Sequence, residues 1–242
     1  MARQRADVIL VERGFFESRA RAQAAIAAGL VRADGRPVRK ASEPIEPDAE
    51  IPPRAPHAWV SRGGVKLAAA LDAFAIDPSG LVCLDVGAST GGFTDVLLSR
   101  GAAKVYAVDV GHGQLHDRIA RDPRVVSLER VDARALTDEL IPGPVELVVA
   151  DVSFISVKLV LAATVRRLAV GGGLIALIKP QFEAGRAHLR KGIVRDEAVH
   201  RAVCEDVSAF IASLNCRILG LVPSPIEGAD GNREFLIGAR HG

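Results

Sequence analysis

The chain has 242 residues, 49% hydrophobic and 25% charged, a globular composition with length for one large core and a small second domain. A formal net charge of +2 excludes a polybasic nucleic-acid binder over the whole length. No apolar run approaches the ~18 residues of a membrane span, and M-A-R-Q-R-A-D carries no hydrophobic leader, so a cytoplasmic protein without a membrane anchor is expected.

Charge is uneven along the chain. Residues 1–40 hold nine Lys/Arg against four Asp/Glu, which points to a polyanionic partner for the N-terminal part, a solvated basic face being the alternative. ADVILVERG has apolar residues at helical spacing and ends on Gly14 as a C-cap. ESRARAQAAIAAG predicts a second helix, started by Ser18 and closed by Gly29. LVRADGRPVRK then predicts two strands joined by a turn through Ala33-Asp34-Gly35-Arg36. Arg5, Arg19 and Arg21, with Arg39 and Lys40 after the hairpin, supply one candidate RNA-binding surface. The helix-helix-hairpin pattern and V-x-R-G-F-F-x-S-R-x-x-A-x-x-A-I-x-x-G-x-V-x-x-D-G resemble the S4 RNA-binding fold. Ile45 and Ile51 are expected to finish this small α+β domain at residues 1–52, with a stiff proline-rich linker at 53–59 and a larger domain at 60–242.

Beyond Val60 short apolar runs alternate with helical stretches. LVCLDVG, KVYAVDVG, VVSLER, ELVVADVSF and LIALIK are read as strands; TDVLLSRG, QLHDRIARD and SVKLVLAATVRRL as helices between them. Nearly uniform apolar strands alternating with helices predict an α/β fold, a doubly wound parallel sheet covered on both faces. CRILGLVP and REFLIGAR have only a turn-rich loop between them, so an antiparallel last pair is expected. Cys83, Cys204 and Cys216 are far apart and form no C-x-x-C pair, which predicts reduced thiols rather than disulfides or zinc.

L-D-V-G-A-S-T-G-G-F-T-D-V-L-L is strand, glycine turn, helix. Its glycines, Gly87, Gly91 and Gly92, do not fit the dinucleotide template G-x-G-x-x-G. D-x-G-x-x-x-G-G-F resembles instead the first motif of S-adenosylmethionine (SAM) methyltransferases, which places Asp85, Gly87, Ala88, Ser89, Thr90, Gly91, Gly92 and Phe93 at the cofactor. Asp109 at the end of the second run suits two ribose hydroxyls, and Asp132 after the third suits an adenine amino group. Each acid alone could equally cap a turn; their order at three successive strand ends is what argues for a ligand site.

Four further polar residues stand in or beside apolar stretches: Lys66 before the first strand, Asp151 and Lys179 at the ends of the fourth and fifth, and Glu234 at the last. Pro180 directly after Lys179 predicts that the strand stops there. S-R-G-G-V-K-L, D-V-G-A-S-T-G-G-F-T, V-D-V-G-x-G-Q-L, A-D-V-S-F-I-S, K-P-Q-F-E and G-N-R-E-F together closely resemble the TlyA family, an S4 domain fused to an FtsJ-like ribose 2′-O-methyltransferase, over essentially the whole chain. The resemblance implies a Lys66-Asp151-Lys179-Glu234 catalytic tetrad, SAM as cofactor, and cytidine targets in ribosomal RNA of one or both subunits. A lysine serves as base only where burial or a neighbouring cation favours its neutral form. Lys179 is assigned to the hydroxyl and Lys66 to the second cation.

Arg62, Arg134 and Arg186 flank motif loops and are candidate phosphate contacts, with plain surface charge as the alternative. His112 and His116 are spaced i, i+4 with no third ligand in view, so no metal site is expected. Trp59 abuts the linker and is expected to pack between the domains, base stacking being the alternative. The family also carries the name hemolysin, but a pore-former would need a spanning or strongly amphipathic apolar segment, and none is read here.

Overall fold

The computed structural model describes residues 3–16, 19–27, 31–51, 59–228 and 231–242. The chain divides into two compact units, Met1–Ala58 and Trp59–Gly242.

In the first unit β1 (Gln4–Arg5) leads directly into α1 (Ala6–Glu12), followed by α2 (Arg19–Ala27), β2 (Arg32–Ala33), β3 (Arg36–Pro37) and β4 (Pro44–Ile45). The first helix ends as its sequence suggests: Gly14 has φ 75° and the Phe15 N–H reaches back to the Leu10 carbonyl. Ser18, Gly29 and most of the expected linker lie outside the described residues. Between β2 and β3, Asp34 and Gly35 both take positive φ, 49° and 73°, the type I′ turn that suits the twist of a two-residue hairpin. The β1–β4 pairing, Gln4 opposite Ile45, was not legible in so short a segment. Ile9, Leu10, Ile26, Val31, Val38, Ile45 and Ile51 form the core of this unit.

In the second unit α3 (Gly63–Phe74) precedes β5 (Val82–Val86), α4 (Gly92–Ser99), β6 (Lys104–Asp109), α5 (Asp117–Ala120), β7 (Val125–Glu129), β8 (Val145–Ala150), α6 (Val157–Thr164), β9 (Leu168–Ile178), α7 (Pro180–Glu183), α8 (Glu197–Ser213), β10 (Cys216–Pro223) and β11 (Phe235–His241). One seven-stranded sheet runs β10-β11-β9-β8-β5-β6-β7. Strands β9, β8, β5, β6 and β7 are mutually parallel, and β11 lies antiparallel between β9 and β10. The uniform apolar runs are explained by burial on both faces. Leu174, Ala176 and Ile178 pack with residues of α6 and α8, whereas Ile175 and Leu177 pack with α3 and α4. Successive residues serve opposite layers.

Two boundaries and one further helix differ from expectation. The stretch read as one helix ends at Thr164, passes through a 3-10 turn at Val165–Arg167, and enters a long β9 at Leu168. The QLHDRIARD helix shrinks to four residues, because His116 takes extended φ/ψ and caps α5 by accepting the Arg118 N–H. The longest helix, α8, was unnamed in the sequence reading although Val203, Val207 and Ile211 mark its buried stripe; Asp196 caps it. The three thiols are buried and unpaired, and burial pushes Cys83 up to about 12. No helix among the described residues is long and apolar enough to cross a membrane.

Candidate active site

The alternation that divides the core also selects the site. On β5, β8, β9 and β11 the α3/α4 layer receives Cys83, Leu147 and Val149, Ile175 and Leu177, and Leu236. Stepping by two along each strand leads to Asp85, Asp151, Lys179 and Glu234. Period-two geometry thus sends four charged residues from four strands to the same side of the sheet, the side covered by the helix that carries Lys66.

Their contacts follow. Lys66 Nζ donates to Glu234 Oε2 at 2.5 Å, both side chains being nearly buried. Lys179, 8% exposed, forms an ion pair with Asp151, Nζ 2.6 Å from Oδ1 but outside hydrogen-bond alignment. The aligned bond goes elsewhere: Lys179 Nζ donates to Ser153 Oγ at 2.8 Å. Ser153 was not among the expected residues. Pro180 does more than stop β9; it is the first residue of α7, with Lys179 as N-cap in the extended conformation a following proline favours. Glu183, the last letter of K-P-Q-F-E, accepts from Ser156 Oγ and the Val157 N–H at 2.6 and 2.7 Å, closing the start of α6. Asn232 is buried and ties G-N-R-E-F to the Gly192 carbonyl and the Val194 N–H.

The cofactor loop is built against this set. Gly87 has φ 82°, and a Cβ there would fall 2.5 Å from the Asp151 carbonyl oxygen, so only glycine lets the loop lie on the end of β8. A Cβ on Gly92 would meet Ser61 Oγ at 2.0 Å. Gly91 caps α4, Ala88 is buried, and Thr90 is exposed. Asp85 is fully buried and accepts from Thr94 Oγ1 at 2.6 Å, while its other oxygen has no partner. Burial pushes its carboxyl up to about 7, opposed by the Thr94 bond and reinforced by the charges of Asp151 and Asp109. Asp109 accepts the N–H groups of Ser89 and Gly111 at 2.8 and 2.7 Å, one on each oxygen, leaving a second lone pair on each.

Other expected residues are placed differently. Phe93 is 3% exposed and packs in the α3/α4 layer, so its side chain seats α4. Asp132 and Arg134, assigned separately to adenine and to RNA, are bonded to each other, the guanidinium spanning both carboxylate oxygens and holding that carboxyl below its usual range. Arg5 and Arg19 both donate to Asp7, whose carboxylate is fully buried and also receives Gln23 Nε2. They therefore anchor the small unit, whatever their remaining N–H groups contact. Lys40 is exposed, and its ammonium makes no hydrogen bond or ion pair among the described residues. Arg62 donates to the Glu227 carbonyl at 2.6 Å. The side chains of Arg21 and Arg186 lie outside the described set. Trp59 packs within its own unit, on the bare face of Gly64.

Residues 59–241 match the FtsJ-like methyltransferase family and residues 4–51 the S4 domain. The 16S/23S rRNA (cytidine-2'-O)-methyltransferase TlyA of Mycobacterium tuberculosis is 45% identical, over 98% of this chain and 90% of its own length. Hemolysin A of Brachyspira hyodysenteriae is 39% identical over 96% of this chain and 98% of its own. A solved structure from Streptococcus thermophilus that carries a hemolysin name has a TM-score of 0.79 at 41% identity, covering 100% of this chain and 89% of that one. A doubly wound sheet with an inserted antiparallel strand, a glycine loop backed by strand-end acids and a preceding S4 domain define a SAM-dependent methyltransferase. The chain belongs to the FtsJ-like methyltransferase family, in its S4-bearing TlyA branch.

The residues present fit that cofactor. Asp85 keeps a buried oxygen without a donor, opposite in charge to an ammonium or sulfonium, and the missing Cβ of Gly87 leaves a backbone cradle. The cleft lined by Ala88, Ser89, Asp109, Gly111, Gln114 and Leu115 measures only about 10 Å³, with the Gln114 amide packed over Gly111. The larger depressions, about 480 Å³ by Arg134 and Arg167 and about 380 Å³ by His200 and Phe235, are lined by none of the four charged residues.

Proposed function

We propose that this protein methylates the 2′-hydroxyl of a cytidine in ribosomal RNA, with Lys179 at the reacting oxygen and Lys66, Asp151 and Glu234 setting its electrostatics. The observation that carries this reading is the convergence of two lysine–carboxylate pairs, Lys66–Glu234 and Lys179–Asp151, on the α3 side of the sheet beside the glycine loop. A 2′-hydroxyl is a weak nucleophile. In-line attack on a sulfonium methyl neutralises charge and needs no oxyanion hole, so positioning and proton removal carry the gain.

When bound, the cofactor supplies an electrophilic methyl on a cationic sulfur. Asp85 would meet its cationic end, Asp109 its ribose hydroxyls, and the backbone from Gly87 to Gly92 its amino-acid portion. Lys179 holds the hydroxyl and takes or steers its proton. Asp151 orients that ammonium, and the Glu234 bond keeps the Lys66 charge from standing alone in a nearly buried place. Phe154, 87% exposed one residue beyond Ser153, presents an aromatic face to a nucleobase. Lys40, Arg62, Arg134 and Arg186 are the phosphate contacts of this reading, joined by Arg21 and by the outward N–H groups of Arg5 and Arg19. The name of the Mycobacterium tuberculosis relative supports both subunit RNAs as substrates.

The test is methyl transfer from labelled SAM to ribosomal subunits and to naked rRNA, with Lys179→Ala beside the wild type. Loss of at least ~100-fold in kcat with SAM affinity retained is expected. Full activity in the variant would sink the assignment of Lys179, and failure of the wild type to label a cytidine ribose would sink the substrate.

A further inference from the structure

Lys179 raises a question of proton traffic. Methyl transfer to a hydroxyl forms an O–C bond, leaves the electron pair of the broken C–S bond on sulfur, and releases the hydroxyl proton. If Lys179 Nζ receives that proton, it must pass one on before the next turnover, and its side chain is only 9% exposed. Asp151 lies close but out of hydrogen-bond alignment. The aligned neighbour is Ser153 Oγ, 2.8 Å away, on a residue that is itself exposed.

The backbone beyond Ser153 is held in an unfavourable conformation. Phe154 has φ 69°, a left-handed value that is strained for a bulky L residue. Its ring lies beside that of Phe182 of α7, centroids 5.3 Å apart, in the helix that Lys179 itself caps. The serine hydroxyl thus stands between the lysine and solvent, in a loop whose next residue touches the helix that the lysine caps.

We propose that Ser153 is the positioning and proton-relay residue of Lys179, a role that rests on the reading of Lys179 as the group at the reacting hydroxyl. Nζ–H donates a proton to the Ser153 oxygen while the serine's own hydroxyl proton moves to water, so the net product is one proton in solvent and the serine is regenerated. The charged groups on the elements around this path are Asp151 after β8, Asp85 on β5, Lys66 on α3 paired with Glu234 before β11, and Glu183 on α7, committed to the start of α6.

The experiment compares wild type, Ser153→Ala, Ser153→Thr and Lys179→Ala in steady-state methylation of rRNA with labelled SAM from pH 6.5 to 8.5. Ser153→Ala is expected to lose about tenfold in kcat at the acid end and less at the alkaline end, where solvent base substitutes. KM for SAM and for RNA should stay at wild-type values, and Ser153→Thr should restore most of the rate. Wild-type kcat in Ser153→Ala beside an inactive Lys179→Ala overturns the relay while leaving Lys179 in place. An equal loss at every pH, or a rise in KM, also overturns it, by assigning the serine a structural part. Full activity of Lys179→Ala removes the reading beneath.

Discussion

The most telling single residue is Asp85. An acid raised to about 7 is preferentially protonated in the folded chain, so its contribution to stability is intact below the unfolded carboxyl range and is lost as pH rises through about 7. Asp85→Asn should therefore melt higher than the wild type at pH 8, with the difference closing near pH 4, as scanning calorimetry would show. The same substitution should weaken SAM, because the carboxylate is there to meet a cation. In the wild type, SAM affinity should rise about tenfold between pH 6 and pH 8 if the bound state keeps Asp85 ionised, with proton release visible by titration calorimetry in two buffers. A flat profile would mean that the carboxyl never faces the cofactor's charge. The residue scale also shows what sequence could and could not supply. Lys66, Asp151, Lys179 and Glu234 were legible because a charge at the end of an apolar run is costly and conspicuous. Ser153 and Glu183 were not: a serine or glutamate in a polar stretch carries no signal of which donor or acceptor it will satisfy. The burial of the Phe93 side chain was not legible either, since its place in a motif says nothing about the side on which α4 packs.

At the scale of elements, the parity of the strands does the sorting. One residue of slip in β8 or β9 would turn Asp151 or Lys179 to the α6/α8 side, away from Lys66. Glu183 supports this arrangement, since its carboxylate joins α7 to the start of α6 at the end of the 151–156 loop. Glu183→Ala should cost about 1 kcal/mol, read as a lower urea midpoint at unchanged slope, and should reduce kcat more than SAM affinity. Equal stability would show that water replaces the carboxylate without loss. Strands and their order were readable because burial on both faces writes itself as continuous apolar runs. The short α5 and the β1–β4 pair were not, since four residues or two leave no period to measure. In the small unit, Asp7→Asn should destabilise by about 2 kcal/mol, part of the loss being relieved because Arg5 and Arg19 are half exposed and regain water. With the carboxyl held well below its usual range, this stabilisation is present above about pH 4 and disappears on acidification through the folded value.

For the whole molecule, division into two units with separate cores predicts separable behaviour. Removing residues 1–58 should leave SAM affinity within about twofold while weakening rRNA binding and flattening its dependence on log salt, because each lost phosphate contact removes a released counterion. An unchanged salt slope, measured by filter binding from 50 to 200 mM, would exclude the basic N-terminal unit from RNA contact. The charge asymmetry of residues 1–40 points to a polyanionic partner, but not to the internal use of two of its arginines, which depends on a buried aspartate whose burial no local pattern announces.

The insertion of β11 between β9 and β10 also imposes an order of events on the ribosome that makes this chain. Lys66 emerges early in synthesis and its carboxylate partner 168 positions later. Until β11 is threaded between two strands already made, one lysine has no counterion and the edge of β9 is bare. A nascent chain therefore carries the glycine loop and three of the four charged groups without being able to close the site. The four groups come together only after the strand that brings Glu234 has left the exit tunnel.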